Sequence, residues 1–317
     1  MAHTTKSTYR ARRKGRGRGA TPGLDRVLDL LCRGTPADLE PATLEAFFGR
    51  RLRRLLGQPP EWLLLQGNEK LGENIYVWNI PAGPLTCPGL TGLCGGPDGE
   101  CYALRGHHNW PSTRGRHISC YLLSTRPDWV DRMTSELAWR DIRRVRLHGS
   151  GDVYSAAYAE KLIAVADRAP TVKFFLYTRS WRVAGILPSL VELSRRPNVA
   201  LWFSADRDAP SPPYVPGVRV AFLATSRDDE KLVSRRRHDL VFRTDRHRKL
   251  SLELGPLTEI QTPDGPVPVC PHEHMTKEMF PAFDRAQPTC TSCRWCTDRD
   301  RFVSRRKGPD PLAIIDV

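Results

Sequence analysis

Seven of the nine cysteines in this 317-residue chain fall in two short windows. Cys87, Cys94 and Cys101 lie in the stretch TCPGLTGLCGGPDGECYA, residues 86–103, and Cys270, Cys290, Cys293 and Cys296 lie further on. Thiols used for packing scatter along a chain, whereas thiols used as ligands cluster. Cys32 and Cys120 stand apart among apolar residues and are expected to be small buried hydrophobes. Met1–Ala20 has no apolar export segment and no apolar run is long enough to span a membrane, so a cytoplasmic, reducing setting is expected. There, clustered thiols serve metals or iron–sulfur clusters more often than disulfides.

The C-terminal set reads C-x2-C-x2-C over Cys290, Cys293 and Cys296, with Cys270 standing 20 residues upstream. Structural zinc usually takes two well-separated pairs of ligands, while a tight triple with a remote fourth suits a 4Fe-4S cubane; the cluster is favoured and zinc is the alternative. His272 and His274 in CPHEH could replace a thiolate, but they do not form an H-E-x-x-H zinc helix. Trp295, between two of the cysteines, is expected to shield the site from solvent. The earlier set has three thiols only. A 4Fe-4S cluster on three thiolates keeps one iron open to an outside ligand, by the same logic that leaves catalytic metals a free position, so this is the candidate active site. His107 and His108 are the rival fourth ligands, and either would close it as a structural Cys3His site. Pro88, Gly89, Gly92, Gly95, Gly96, Pro97 and Gly99 predict a wrapping loop that is neither helix nor strand.

What must hold these loops is an alternation of strands and helices. Residues 74–80 (NIYVWNI) read as a strand leading into the three-cysteine loop, followed by a helix over 127–139. Strands at 145–148, 172–177, 199–203, 218–223 and 239–242 alternate with helices at 156–167 and 183–194. Apolar strands alternating with helices predict an α/β fold with a parallel sheet covered on both faces, closing into a partial or complete (βα) barrel. In such folds the chemistry sits at the C-terminal strand ends. Here those ends carry the cysteine loop, Gly149-Ser150-Gly151-Asp152, Tyr177-Thr178-Arg179, Ser204-Ala205-Asp206 and Thr225-Ser226. Asp152 or Ser155 could instead simply cap the next helix.

Around that domain, 68–250, the sequence places a basic tail at 1–20, a helical preface at 21–67 with helices near 21–34 and 41–56, and a cysteine-rich region at 251–317 where periodicity is lost. The formal charge is +14, and the tail alone carries Lys6, Arg10, Arg12, Arg13, Lys14, Arg16 and Arg18 with no acid. Such a tail is either a solubilising arm or a salt-dependent contact for nucleic acid.

With CYA at the third cysteine and HGSGD and YTRSWR at two strand ends, residues 68–296 resemble the gene product 88 family of actinobacterial phages and mobile elements. More distantly the chain is similar to the radical S-adenosylmethionine superfamily, whose cysteine spacing, C-x3-C-x2-C, is shorter than the C-x6-C-x6-C found here. The distant resemblance implies a partial (βα)6 barrel in which Cys87, Cys94 and Cys101 hold a 4Fe-4S cluster. S-adenosylmethionine would bind its open iron, and an external electron donor would drive reductive cleavage to a 5′-deoxyadenosyl radical. It further implies that Gly149, Ser150, Gly151 and Asp152 contact the methionine amino group. Tyr177, Thr178, Arg179, Ser204 and Thr225 would line the cofactor and substrate pocket, and Cys270, Cys290, Cys293 and Cys296 would bind an auxiliary cluster. One other function fits the sequence, a nucleic-acid-binding protein of a mobile element with structural or redox-sensing zinc or iron–sulfur sites; a metal-independent hydrolase is disfavoured, since no nucleophile–base constellation is readable from spacing.

Overall fold

The computed structural model describes residues 61–95, 99–104, 106–243, 259–270 and 289–298. The basic tail, both helices expected of the preface, Cys32, His272 and His274 lie outside them. Within them, a seven-stranded sheet runs in the order of the sequence: β1 (Leu65–Gln66), β2 (Tyr76–Trp78), β3 (Arg144–Leu147), β4 (Lys173–Thr178), β5 (Val199–Ala205), β6 (Arg219–Ala224) and β7 (Leu240–Arg243). Only the β1–β2 pair is antiparallel. Among the described residues no ladder joins β7 back to β1.

The intervening helices are α1 (Pro111–Thr125), α2 (Trp129–Trp139), α3 (Ala156–Arg168), α4 (Leu187–Ser194) and the short α5 (Arg227–Lys231). Parallel strands wound always in one direction, with crossovers of one hand, put every connecting helix on the same face of the sheet. The other face is covered as well, by the cysteine-rich segment, so the expectation of a sheet covered on both faces is met without connecting helices on the second. Residues of one parity, Trp78, Val145, Leu147, Phe174, Leu176, Leu201, Phe203, Val220 and Phe222, join the helices in the main core. Residues of the other parity, Val77, Phe175, Ala200, Trp202, Ala221 and Leu240, form two smaller clusters that pack against Cys270, Cys290, Trp295 and Cys296. The cysteine-rich segment thus does for the inner face what helices do for the outer one.

Three other expectations change. The helix expected over 183–194 begins only at Leu187, because Ser180–Arg182 forms a 3-10 turn first. The helix α1 has no counterpart in the sequence reading: its apolar residues crowd into Ile118–Leu123, while its first two turns are polar and lack a helical stripe. Past residue 250, a small antiparallel hairpin, β8 (Glu259–Ile260) with β9 (Val267–Pro268), turns at Asp264-Gly265. Its continuation, through a bridge from Val269 to Val241, carries Cys270 to the edge of the main sheet. Cys120 is buried in the main core, as expected of a small hydrophobe. No helix among the described residues is long and apolar enough to cross a membrane.

Beneath the strand ends lies an aromatic layer tied by hydrogen bonds. Trp78 donates its indole N–H to the Tyr158 hydroxyl at 2.8 Å, and His148 Nε2 meets the same oxygen at 2.9 Å. Tyr154 stacks on Tyr158 with centroids 4.4 Å apart. Burial holds the His148 imidazole neutral, down to about 3. The unfolded chain therefore takes up a proton near pH 6.5 that the folded one refuses, and stability falls as pH drops from there toward 3. His148 has φ +60°, a conformation that asparagine tolerates well. His148→Asn is expected to reduce the slope of stability against pH between pH 6 and 4 by about one proton, about 1.4 kcal/mol per pH unit, read from urea midpoints.

Candidate metal centre

The three-cysteine loop leaves β2 and returns on itself at the C-terminal edge of the sheet. Its long spacings are folded away by local bonds. The Cys87 amide donates to Gly83 O at 2.8 Å, and the Leu90 amide to Cys87 O at 3.1 Å. One helical turn, Gly92–Gly95, carries Cys94, so the expectation of a loop without helix is corrected. Glycine weakens a helix without forbidding one, and here Thr91 caps the turn, its hydroxyl accepting from the Cys94 amide at 3.1 Å. The Cys101 amide then donates to Cys94 O at 3.1 Å, and the Glu100 amide to Leu93 O at 2.6 Å, which sets the third cysteine beside the second.

Two strand ends hold the loop in place. Asp206, at the end of β5 and fully buried, accepts from the Thr91 hydroxyl at 2.7 Å and pairs with Arg179 at 2.6 Å. Asp208 accepts from the Leu93 amide at 2.6 Å. From the end of β4, Arg182 donates to the carbonyls of Gly89 and Leu90. Gly89 lies so close to the Arg179 carbonyl that a Cβ there would stand 2.0 Å from its oxygen. Only glycine lets the two backbones meet.

The thiols interact electrostatically. The neighbouring Cys101 thiol lowers Cys94 to about 7, with Arg179 adding to the effect. Cys94 in turn raises Cys101, and burial raises it further. Burial pushes Cys87 up to about 12, with the Asp152 carboxylate contributing. Asp152 accepts from the Arg179 amide at 2.8 Å and the Val153 amide at 2.7 Å. Burial nevertheless raises it to about 6. Ser155, not Asp152, caps α3, its hydroxyl accepting from the Tyr158 amide at 3.1 Å.

The other residues expected at this rim divide. Gly149 accepts from the Tyr102 hydroxyl at 2.6 Å, and Gly151 takes φ +79° beneath Ile80 and Pro81. Ser150 and Ser180 are buried with hydroxyls that find no partner. The Ser204 carbonyl accepts from the Trp181 indole at 2.9 Å. Thr225 gives both its amide and its hydroxyl to Asp229 at the start of α5. Tyr177 points the other way: it packs on the inner face with Cys290 and Cys296. His107 and His108 pack at a tilt against each other, and they meet Tyr102, Trp110 and His117 edge-on or tilted. The main influences on the three thiols come from one another and from Asp152, Arg179 and Asp206, not from either histidine.

The second set sits on the inner face. The Cys290 amide donates to Lys70 O at 2.9 Å, the Trp202 indole to Cys296 O at 3.1 Å, and Arg219 to Trp295 O at 2.8 Å. Burial pushes the Cys296 thiol up to about 12, with Cys270 and Cys290 near enough to add to it. Cys293 shares a helical turn with Cys290. The Tyr177 hydroxyl lies beside Cys296 but makes no hydrogen bond of normal geometry. Among the described residues no three His, Cys, Asp or Glu side chains are grouped as a bound metal ion would require. An iron–sulfur cluster, with its ligands spread over several irons, asks less convergence of its thiols than one ion does. The donor types and the unpaired hydroxyls at the rim fit such a group.

Asp208, Thr91 and Arg146 had no part of their own among the residues expected to matter, and Asp206 and Arg182 entered only as members of strand-end runs. Arg146, on the inner face, runs between the two sets: its guanidinium donates to the Tyr102 hydroxyl at 3.2 Å, and Tyr102, Tyr177, Cys290 and Cys296 favour its charge against the cost of burial. The one sequence signal for this frame was the Asp206-Arg207-Asp208 run at a strand end.

A family model described as Gene product 88 matches residues 62–299. No curated protein and no solved structure matches the chain.

Removing one member of a buried ion pair leaves the other charge uncompensated. Asp206→Ala is expected to cost about 3–5 kcal/mol of folding stability. Thr91→Val, which removes one neutral hydrogen bond, should cost about 1 kcal/mol. Urea unfolding of both variants checks the ranking, and equal costs would remove Asp206 from its central place.

Proposed function

The chain belongs to the gene product 88 family, and from that premise we propose that it is an iron–sulfur protein with two unlike centres, one open and reactive, one closed. In this reading Cys87, Cys94 and Cys101 hold a 4Fe-4S cluster at the rim, and Cys270, Cys290, Cys293 and Cys296 hold a second on the inner face. The observation that carries it is the separation of the thiols into a rim group that interact with one another and an inner-face group packed on Phe175, Tyr177 and Trp202. When bound, a cluster on three thiolates supplies an iron with a free position and an electron for a ligand held there, for which S-adenosylmethionine is the proposed ligand.

The chain's own residues have definable parts in that reading. Arg179 and Asp206 fix the loop, and Arg179 favours the anionic form of Cys94. Asp152, held by the Arg179 and Val153 amides, is a buried carboxylate suited to an ammonium group. The unpaired hydroxyls of Ser150 and Ser180 are suited to hydrogen bonding a polar ligand. The packed inner face would exclude water from the second centre, with Trp295 and Trp202 as its cover. The helical outer face takes no part beyond support.

Anaerobic purification with iron, sulfide and zinc analysis tests the reading. About eight irons per chain are expected, falling by about four in Cys94→Ala and separately by about four in Cys290→Ala. Stoichiometric zinc in their place would overturn it. With the iron present, release of 5′-deoxyadenosine under strong reductant is expected, and its absence would remove S-adenosylmethionine while leaving the clusters.

A further inference from the structure

One surface feature is independent of either cysteine centre. Directly after Cys101, four rings adjoin one another: Tyr102 meets His108 edge-on at 5.7 Å, His108 tilts against His107 at 4.2 Å, and His107 meets Trp110 edge-on at 6.5 Å between centroids. Tyr102 and Trp110 are 56% and 63% exposed, among the most exposed large hydrophobic side chains of the described residues. They are also fixed. The Tyr102 hydroxyl is anchored to Gly149 O and receives Arg146. Trp110 is the residue before α1, its amide donating to His107 O at 3.1 Å and its carbonyl accepting from the Arg114 amide at 3.0 Å.

Rigid rings left in water offer stacking faces at little entropic cost to a partner that has flat faces of its own. The charge around them says which partner. Residues 101–127 contain no Asp or Glu but hold four arginines and three histidines, in a chain of formal charge +14; Arg114 lies one helical turn from Trp110, whereas Arg116 is committed to the carbonyls of Trp62 and Leu63 and Arg126 to Asp128. Aromatic rings interleaved with arginines in an acid-free segment match a chain of stacked bases on a phosphate backbone. A duplex, with its bases already stacked inside, does not offer those faces.

We propose that Tyr102, His107 and Trp110 form a stacking platform for single-stranded nucleic acid beside the three-cysteine loop. The strand would run over the rings with its phosphates toward Arg114, one helical turn from Trp110, and this holds whichever metal the cysteines carry.

Fluorescence anisotropy on the full chain with labelled oligo(dT), oligo(rU) and a DNA duplex tests it. The measurement is made at raised salt, where phosphate contacts from the basic tail are weakened more than stacking. The single strands are expected to bind more tightly than the duplex, and the tighter of the two names the sugar. Trp110→Ala should weaken single-strand binding about tenfold or more, while Trp110→Phe should keep most of the affinity and lose part of the ligand-induced tryptophan quenching. His107→Ala provides a second, smaller loss. Because Trp110 and His107 are exposed, both variants should melt as the parent does. Single-strand affinity unchanged in Trp110→Ala and His107→Ala, or equal affinity for duplex, would overturn the platform.

Discussion

A buried carboxylate, Asp206, anchors the loop. Its one oxygen faces the Thr91 hydroxyl and the Arg179 guanidinium, and its other receives the amides of Asp208 and Ala209. A charge that deep is tolerable only with its acceptor sites filled, so the loop bearing Cys94 and the end of β4 are obliged to meet at the end of β5. The remaining geometry follows. Arg179 has its side chain on Asp206, its amide on Asp152 and its carbonyl against Gly89, so one residue sets the distance between the cysteine loop and two neighbouring strand ends.

A sheet wound in one direction has a face without helices. Covering it is the work of the segment with the second cysteine group. Trp202 and Arg219 bind the carbonyls of Trp295 and Cys296, and Arg219 lies over the Trp202 ring at 4.1 Å. Burial of Phe175, Ala200, Trp202 and Ala221 therefore depends on a stretch far away in sequence. Each large apolar side chain covered this way contributes roughly 1.5–3 kcal/mol, so the segment supports the fold whatever its thiols bind.

Much of the strand pattern was legible. Apolar runs such as VKFFLY and VALWF are long enough and β-branched or aromatic enough to be strands, and the structure begins or ends them within two residues of expectation. The helix α1 was not legible, since only its second half is apolar. The turn at Gly92–Gly95 was hidden behind glycines, and what stabilises it, the Thr91 hydroxyl, is itself held by Asp206, more than a hundred residues away.

The sequence by itself determined that the chain alternates strands and helices, that seven cysteines form two sets, and that polar residues end the strands. Those are properties of residue type and near-neighbour spacing. Only the tertiary structure decided that, among the described residues, the helices connecting the strands lie on one face, that Tyr177 and Arg146 turn toward the second set while Asp152 and Arg179 stay with the first, and that Asp206 joins the loop to the rim. Strand parity sends neighbouring residues to opposite faces, and which face is which depends on where distant segments pack. No local pattern carries that information.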